Sequence, residues 1–229
     1  MPAPSFRSSG TVVRTTADNT SITPVAPAGA TDGDILILFA AARADDIATN
    51  LPFIFANGTG WTEITSGYTD IGTTSMQARA WWYRVSGSVP TMPSVRHASL
   101  SSNGMGAIVC AYSGCIASGT PVEAASARAA DGTIQGVAVT TTDIDRLVVM
   151  NYFWDDSGTT GTTPSGWTNN SLKTSSTDVV IRNDSISRAT AGTQAAPSLG
   201  ASERHSALGF ALLPIVSPAG NPGSFFAFF

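Results

Sequence analysis

The feature that most constrains this chain is that its blocks occur twice, in the same order. GDILILFAAARADD (33–46) and DIDRLVVMNYFWDD (143–156) each join an acidic residue, an apolar run and a closing Asp-Asp. GWTEI (60–64) follows the first and SGWTNN (165–170) follows the second. Next come MQARAWWYRV (76–85) and DVVIRNDSISR (178–188), then the apolar runs GAIVCAYSG (106–114) and HSALGFALLP (205–214). Four matched blocks in one order predict an internal duplication, with pseudo-repeats over about 33–115 and 143–214.

Alternation predicts strands within the blocks. From Ala78 onward, Ala78, Ala80, Trp82 and Arg84 share one face while Arg79, Trp81, Tyr83 and Val85 share the other. The first and last runs of each half are apolar on both faces, as expected for strands in the centre of a sandwich. Turn signals separate the runs: Asn57-Gly58, Ser86-Gly87, Ser113-Gly114, Asp131-Gly132 and Pro164-Ser165-Gly166. The nearest helical candidate is VEAASARAADG (122–132), and no more than a turn is expected of it. The expected fold is therefore all-β: an antiparallel two-sheet sandwich, jelly-roll-like, with each half contributing strands to both sheets. It forms one domain over 1–215, because neither half has enough strands to bury its own apolar face.

Composition removes some function classes. Charged residues are 12% of the 229 and net charge is −4. The basic residues are scattered, so no nucleic-acid footprint is expected. MPAPSFRSSG at the start lacks the apolar region of a signal peptide. The longest apolar run, 35–42, is too short to span a bilayer, so no membrane insertion is expected. Cys110 and Cys115 are expected as two buried thiols rather than a disulfide closing a very small loop.

The blocks Pro27-Ala28-Gly29, Asp32-Gly33-Asp34, Gly60-Trp61-Thr62, Trp82-Tyr83-Arg84-Val85, Ala111-Tyr112-Ser113-Gly114 and Pro121-Val122-Glu123 stand in this order, with a second Gly-Trp-Thr and the closing Ala211–Pro214. Together they resemble a group of bacteriophage-encoded β-sandwich proteins. The resemblance implies a virion structural protein of the tail fibre, minor tail or capsid-associated type. It also implies other virion proteins as partners, a homo-oligomer such as a trimer, and contact with a host-surface glycan. Lectins and carbohydrate-binding modules share the jelly-roll shape, so a lectin-like module remains open.

Candidate chemistry is sparse. Trp81, Trp82, Tyr83 and Trp154 are the candidate glycan or subunit contacts. Trp61 and Trp167, each after a turn glycine, are expected to plug the ends of the sandwich. The pairs Asp45-Asp46 and Asp155-Asp156 are the only metal candidates, and solvated strand ends are the expected state, with no cofactor. There is no nucleophile elbow. His97 and His205 have no ligand spacing. A glycosidase pair would need Glu63 or Glu123 with an Asp from another strand, and no catalysis is expected.

SFFAFF (224–229) holds four phenylalanines behind a spacer with Pro218, Gly220, Pro222 and Gly223. Segment 216–229 is a poor strand and a good extended arm. Phe225, Phe226, Phe228 and Phe229 would each contribute about 1.5–3 kcal/mol if buried. Two destinations are open, the arm's own sandwich or a partner outside it, a neighbouring subunit or the particle it decorates, and the second is favoured.

Overall fold

The structure is a computed structural model that describes residues 2–17, 20–44, 54–56, 58–71, 74–97, 104–155, 160–174 and 179–215. Every element among these residues is a strand, and all pairings are antiparallel. One large sheet holds β1 (Ser5–Ser9), β2 (Val13–Thr15), β3 (Ile35–Ala44), β5 (Thr62–Ile71), β6 (Thr74–Arg84) and β8 (Met105–Ser113). Its order is β1-β8-β3-β6-β5, with β2 beside β8. The other holds β9 (Val122–Ala130), β12 (Arg146–Asp155), β13 (Thr168–Thr174), β14 (Val179–Arg188) and β17 (His205–Leu212), in the order β13-β14-β12-β17-β9. Three two-stranded ribbons complete the strands among the described residues. They pair β4 (Ile54–Ala56) with β7 (Ser94–Arg96), β10 (Thr133–Gln135) with β16 (Ser198–Ser202), and β11 (Val139–Thr141) with β15 (Gly192–Gln194).

Each half supplies one large sheet whole. This corrects the expectation that both halves feed both sheets. The large-sheet strands of each half pair only with one another, and the described strands cross between the large sheets once, through residues 114–121. A jelly roll crosses repeatedly. The segment around 122–130 forms edge strand β9 rather than a helical turn, since its residues pair with β17 from Val122↔Leu212 to His205↔Ala130.

Runs that are apolar on both faces are explained by three stacked cores. Between the sheets, Ile35, Ile37, Phe39, Ile108, Cys110 and Tyr112 meet Leu147, Val149, Phe153, Leu208, Phe210 and Leu212. On the outer side of the first sheet, Leu36, Leu38, Trp81 and Val109 lie under Ile22, Met92, Val95 and Phe55. On the outer side of the second, Val148, Met150, Tyr152 and Trp154 lie under Ile134, Val139, Trp167 and Leu199. β3, β8, β12 and β17 are therefore covered on both faces, as their composition demanded.

The two sheets have the same plan. Taking the five long strands of each half in chain order, both sheets read first, fifth, second, fourth, third. The register matches as well. Ile37 pairs with Cys110 and Trp82, and Trp82 with Thr62. Val149 pairs with Phe210 and Ser185, and Ser185 with Thr168. Thr62 and Thr168 each close a Gly-Trp-Thr whose glycine, Gly60 or Gly166, has φ of +82° or +81°, a left-handed turn that favours glycine. One extra residue follows in each strand, Ile64 in β5 and Asn170 in β13. The strands carrying 35–42 and 147–154 thus hold the same central place.

The sheets face each other in crossed order. β5 packs against β9 at one lateral edge of the sandwich, and β1 against β13 at the other.

Candidate functional site

Side-chain direction follows from the pleat. Trp81 and Tyr83 point to the outer face of the first sheet. Trp81 is buried and stacks on Phe55 with centroids 4.5 Å apart, and Tyr83 tilts against Trp61 at 5.5 Å. Trp154 is fully buried on the outer face of the second sheet. As contacts for a glycan or a subunit, Trp81 and Trp154 are therefore corrected: the ribbons and loops of their own halves already cover them. Trp61 and Trp167 sit in these outer cores instead of at the sandwich ends.

Trp82 differs. It points between the sheets at the β5/β9 edge, where it is half-buried. It lies in an open groove of about 390 Å³ together with Thr62, Ile64, Thr120, Val122 and Ala125. Arg84 lies over its ring at 5.6 Å and donates to the carbonyls of Ile116 (3.0 Å) and Gly119 (2.9 Å). That arginine fixes the crossover segment whose Thr120 forms one wall. Both edge strands are bulged here, β5 at Ile64 and β9 between Glu123 and Ser126, where Ala124 has φ of +55°. Bulges bend an edge strand and re-aim its side chains.

The groove also brings Glu63 and Glu123 to its two lips. Each is held by an arginine of its own sheet. Glu63 accepts from Arg79 at 3.2 Å, and Glu123 accepts from Arg146 at 2.9 Å and from the Thr142 hydroxyl at 2.9 Å. Glu63 shares its face with Trp81, and Glu123 shares its face with Ala211, so both project toward the outer faces.

A second groove, about 230 Å³, is lined by Arg7, Asp34, Ser113, Cys115 and Ile215. Asp34 is buried there, 2.7 Å from the Arg7 guanidinium, and it accepts from the Thr31 amide at 2.8 Å. Cys110 and Cys115 are buried free thiols, both pushed up to about 12 by desolvation.

The largest polar constellation was not legible in the sequence. Arg182 and Asp184, two apart on β14, form an ion pair at 2.9 Å with side-chain exposures of 1% and 0%. Thr163 and the carbonyls of Thr160 and Gly161 take the remaining guanidinium donors. Burial raises the Asp184 carboxyl from its ordinary value, against the opposing pull of Arg182. On the other face of β14, Asn183 accepts from the Tyr112 hydroxyl (2.9 Å) and donates to Asn151 (2.7 Å). Burial pushes the Tyr112 hydroxyl upward. The order R-N-D on one strand was visible. Its coverage by residues 160–163 was not.

His205 is buried with Nε2 accepting from the Gln135 amide at 3.2 Å and Nδ1 facing the Glu203 carbonyl at 3.0 Å. Desolvation lowers its pKa. His97 is buried beside Gln77, 3.2 Å away. Among the described residues, no group of three or more His, Cys, Asp or Glu side chains converges. Asp45, Asp46 and Asp156 lie outside the described residues, as do Phe225, Phe226, Phe228 and Phe229, and Asp155 is described only as the last residue of β12.

The chain matches no protein-family model, no curated protein and no solved structure.

Proposed function

We propose that this chain is a non-enzymatic structural protein of a bacteriophage virion, tail- or fibre-associated, serving assembly and contact with the host surface. The supporting observation is the work done by the residues that carry the resemblance. Asp32 accepts from the Gly87 amide at 2.7 Å, and Asp34 holds Arg7 and the 31–34 turn. Arg84 fixes the crossover, Tyr112 joins the two sheets through Asn183, and Glu123 ties β9 to Arg146 and Thr142. These groups cross-brace a stiff slab, which suits a building block better than a reaction centre.

The matching strand order and register support an origin by duplication. In this reading the partners are other virion proteins and further copies of the chain, with Phe225, Phe226, Phe228 and Phe229 as an assembly arm. Capsid decoration is the alternative with the same physics at another place on the particle. The lectin-like alternative draws on one feature, the accessible ring of Trp82. Gradient-purified particles, probed by immunogold labelling against this chain, test the proposal. Label at the tail or fibre is expected. Label on the head selects decoration, and absence from purified particles overturns the virion reading.

A further inference from the structure

We infer that the groove between β5 and β9 is the receptor for segment 224–229 of a second copy of this chain. The inference rests on reading that segment as an assembly arm, and it adds the surface that takes it. The groove floor is the half-buried ring of Trp82. Its walls include Ile64, Val122 and Ala125, and its volume of about 390 Å³ falls in the range that encloses small organic groups. Aromatic rings set on such a floor leave water on both sides of the contact. The groove also lies between the last strands of the two sheets. Edge strands carry unpaired backbone donors and acceptors along their outer side, so an extended segment entering here finds main-chain partners as well as an apolar floor.

The path of the chain brings the root of the segment to the groove, and its length sets its reach. The Leu213 amide donates to the Pro121 carbonyl at 2.9 Å, and Thr120 and Val122, on either side of Pro121, line the groove. The described chain therefore passes the lip of its own groove just before Ile215. Phe225 comes ten residues later (225 − 215). The intervening 216–223 contain Pro218 and Pro222, and at about 3.1 Å per residue such a stretch can span at most roughly 25 Å. A tether of that length is long enough to reach the groove of a neighbouring copy. Repeated exchange of arms closes into a symmetric oligomer.

The test uses the full chain and two variants: Ala125→Arg, which blocks the groove from an exposed position on β9, and deletion of 223–229. Sedimentation over a concentration series gives the mass, and a thermal melt reports folding. The wild type should associate. Each variant alone should remain monomeric, with association weakened at least about tenfold and its melt unchanged. Mixing the two should restore a pair, since one supplies the arm and the other the groove. A wild type that stays monomeric overturns the inference. So does an oligomer indifferent to Ala125→Arg, or a mixture that fails to pair. Oligosaccharide binding that Ala125→Arg abolishes while mass stays constant assigns the groove to a glycan and also overturns it. Immunogold location in the particle is independent of all these outcomes, so failure of the virion reading is separately visible.

Discussion

The two large sheets share strand order and register but not their interiors. Where the first sheet has Phe39, Ala80 and Trp82, the second has Asn151, Asn183 and Ser185 at the corresponding places. Arg79 corresponds in the same way to Arg182 and Trp81 to Asp184. The first member of each contrast packs in oil or meets solvent. The second joins a buried hydrogen-bonded network. The plan of the sheet is thus carried by the spacing of apolar runs and glycine turns, and it tolerates large changes in what fills it. The consequence is sharpest at the edges. At β1/β13, Asn170 donates to Asn183 and Ser185, filling the space beside Ser185 with polar contacts of 2.8 and 2.9 Å. At β5/β9 the corresponding space holds Trp82 and an open groove. One edge is closed by its own side chains and the other is left open.

The strongest way to break this comparison is at the two arginines. Asp184→Ala strands a buried guanidinium that cannot lose its charge, and chemical denaturation should show a loss of about 3–5 kcal/mol. Glu63→Gln removes the carboxylate from Arg79, whose pair is 26% and 39% exposed, and should lose no more than about 1 kcal/mol. Equal losses would mean that the two sheets are braced alike.

A smaller effect is expected at the inter-sheet bond. Asn183→Ala leaves the Tyr112 hydroxyl and Asn151 without their partner and should cost about 1–3 kcal/mol, whereas Tyr112→Phe should cost about 1 kcal/mol. If Tyr112→Phe is the worse of the two, the network does not centre on Asn183.

The pH dependence should belong to the second half. His205 has a folded-state pKa lowered from its ordinary 6.5, because burial and then the nearby Arg128 charge favour the neutral ring. Its contribution is therefore present above about 6.5 and is lost as pH falls through that value toward the folded pKa. The melting temperature should decline over that window, and His205→Gln should flatten the decline. A slope unchanged in the variant would assign the dependence elsewhere. The smallest effect concerns the thiols. Cys110 and Cys115, both held near 12, should stay unlabelled by a thiol reagent at neutral pH until the protein unfolds. Fast labelling of the native chain would show that the inter-sheet core opens.

Much of the fold was legible because it depends on local pattern. The runs apolar on both faces announced strands covered on both faces, and the Gly-Trp-Thr pair located two turns of the same geometry. Alternation placed Trp81 and Trp82 on opposite faces. What covers each face was not legible. Trp81 and Trp154 looked like contacts because the ribbons over them come from distant, weakly patterned segments, such as 54–56 with 94–96. Assignment of whole sheets to halves depends on which strands pair, and the same runs would satisfy either arrangement. The groove escaped notice for a related reason. Trp82 and Val122 meet only once the sheets have packed in crossed order, with β5 over β9.

The contrast between a closed and an open edge can be read directly by amide hydrogen exchange on the full chain and on the 223–229 deletion. If the β5/β9 edge is covered by a partner's arm, deletion should speed exchange in 62–71 and 122–130 while 5–9 and 168–174 stay unchanged. Equal acceleration at both edges, or none at either, would contradict the account.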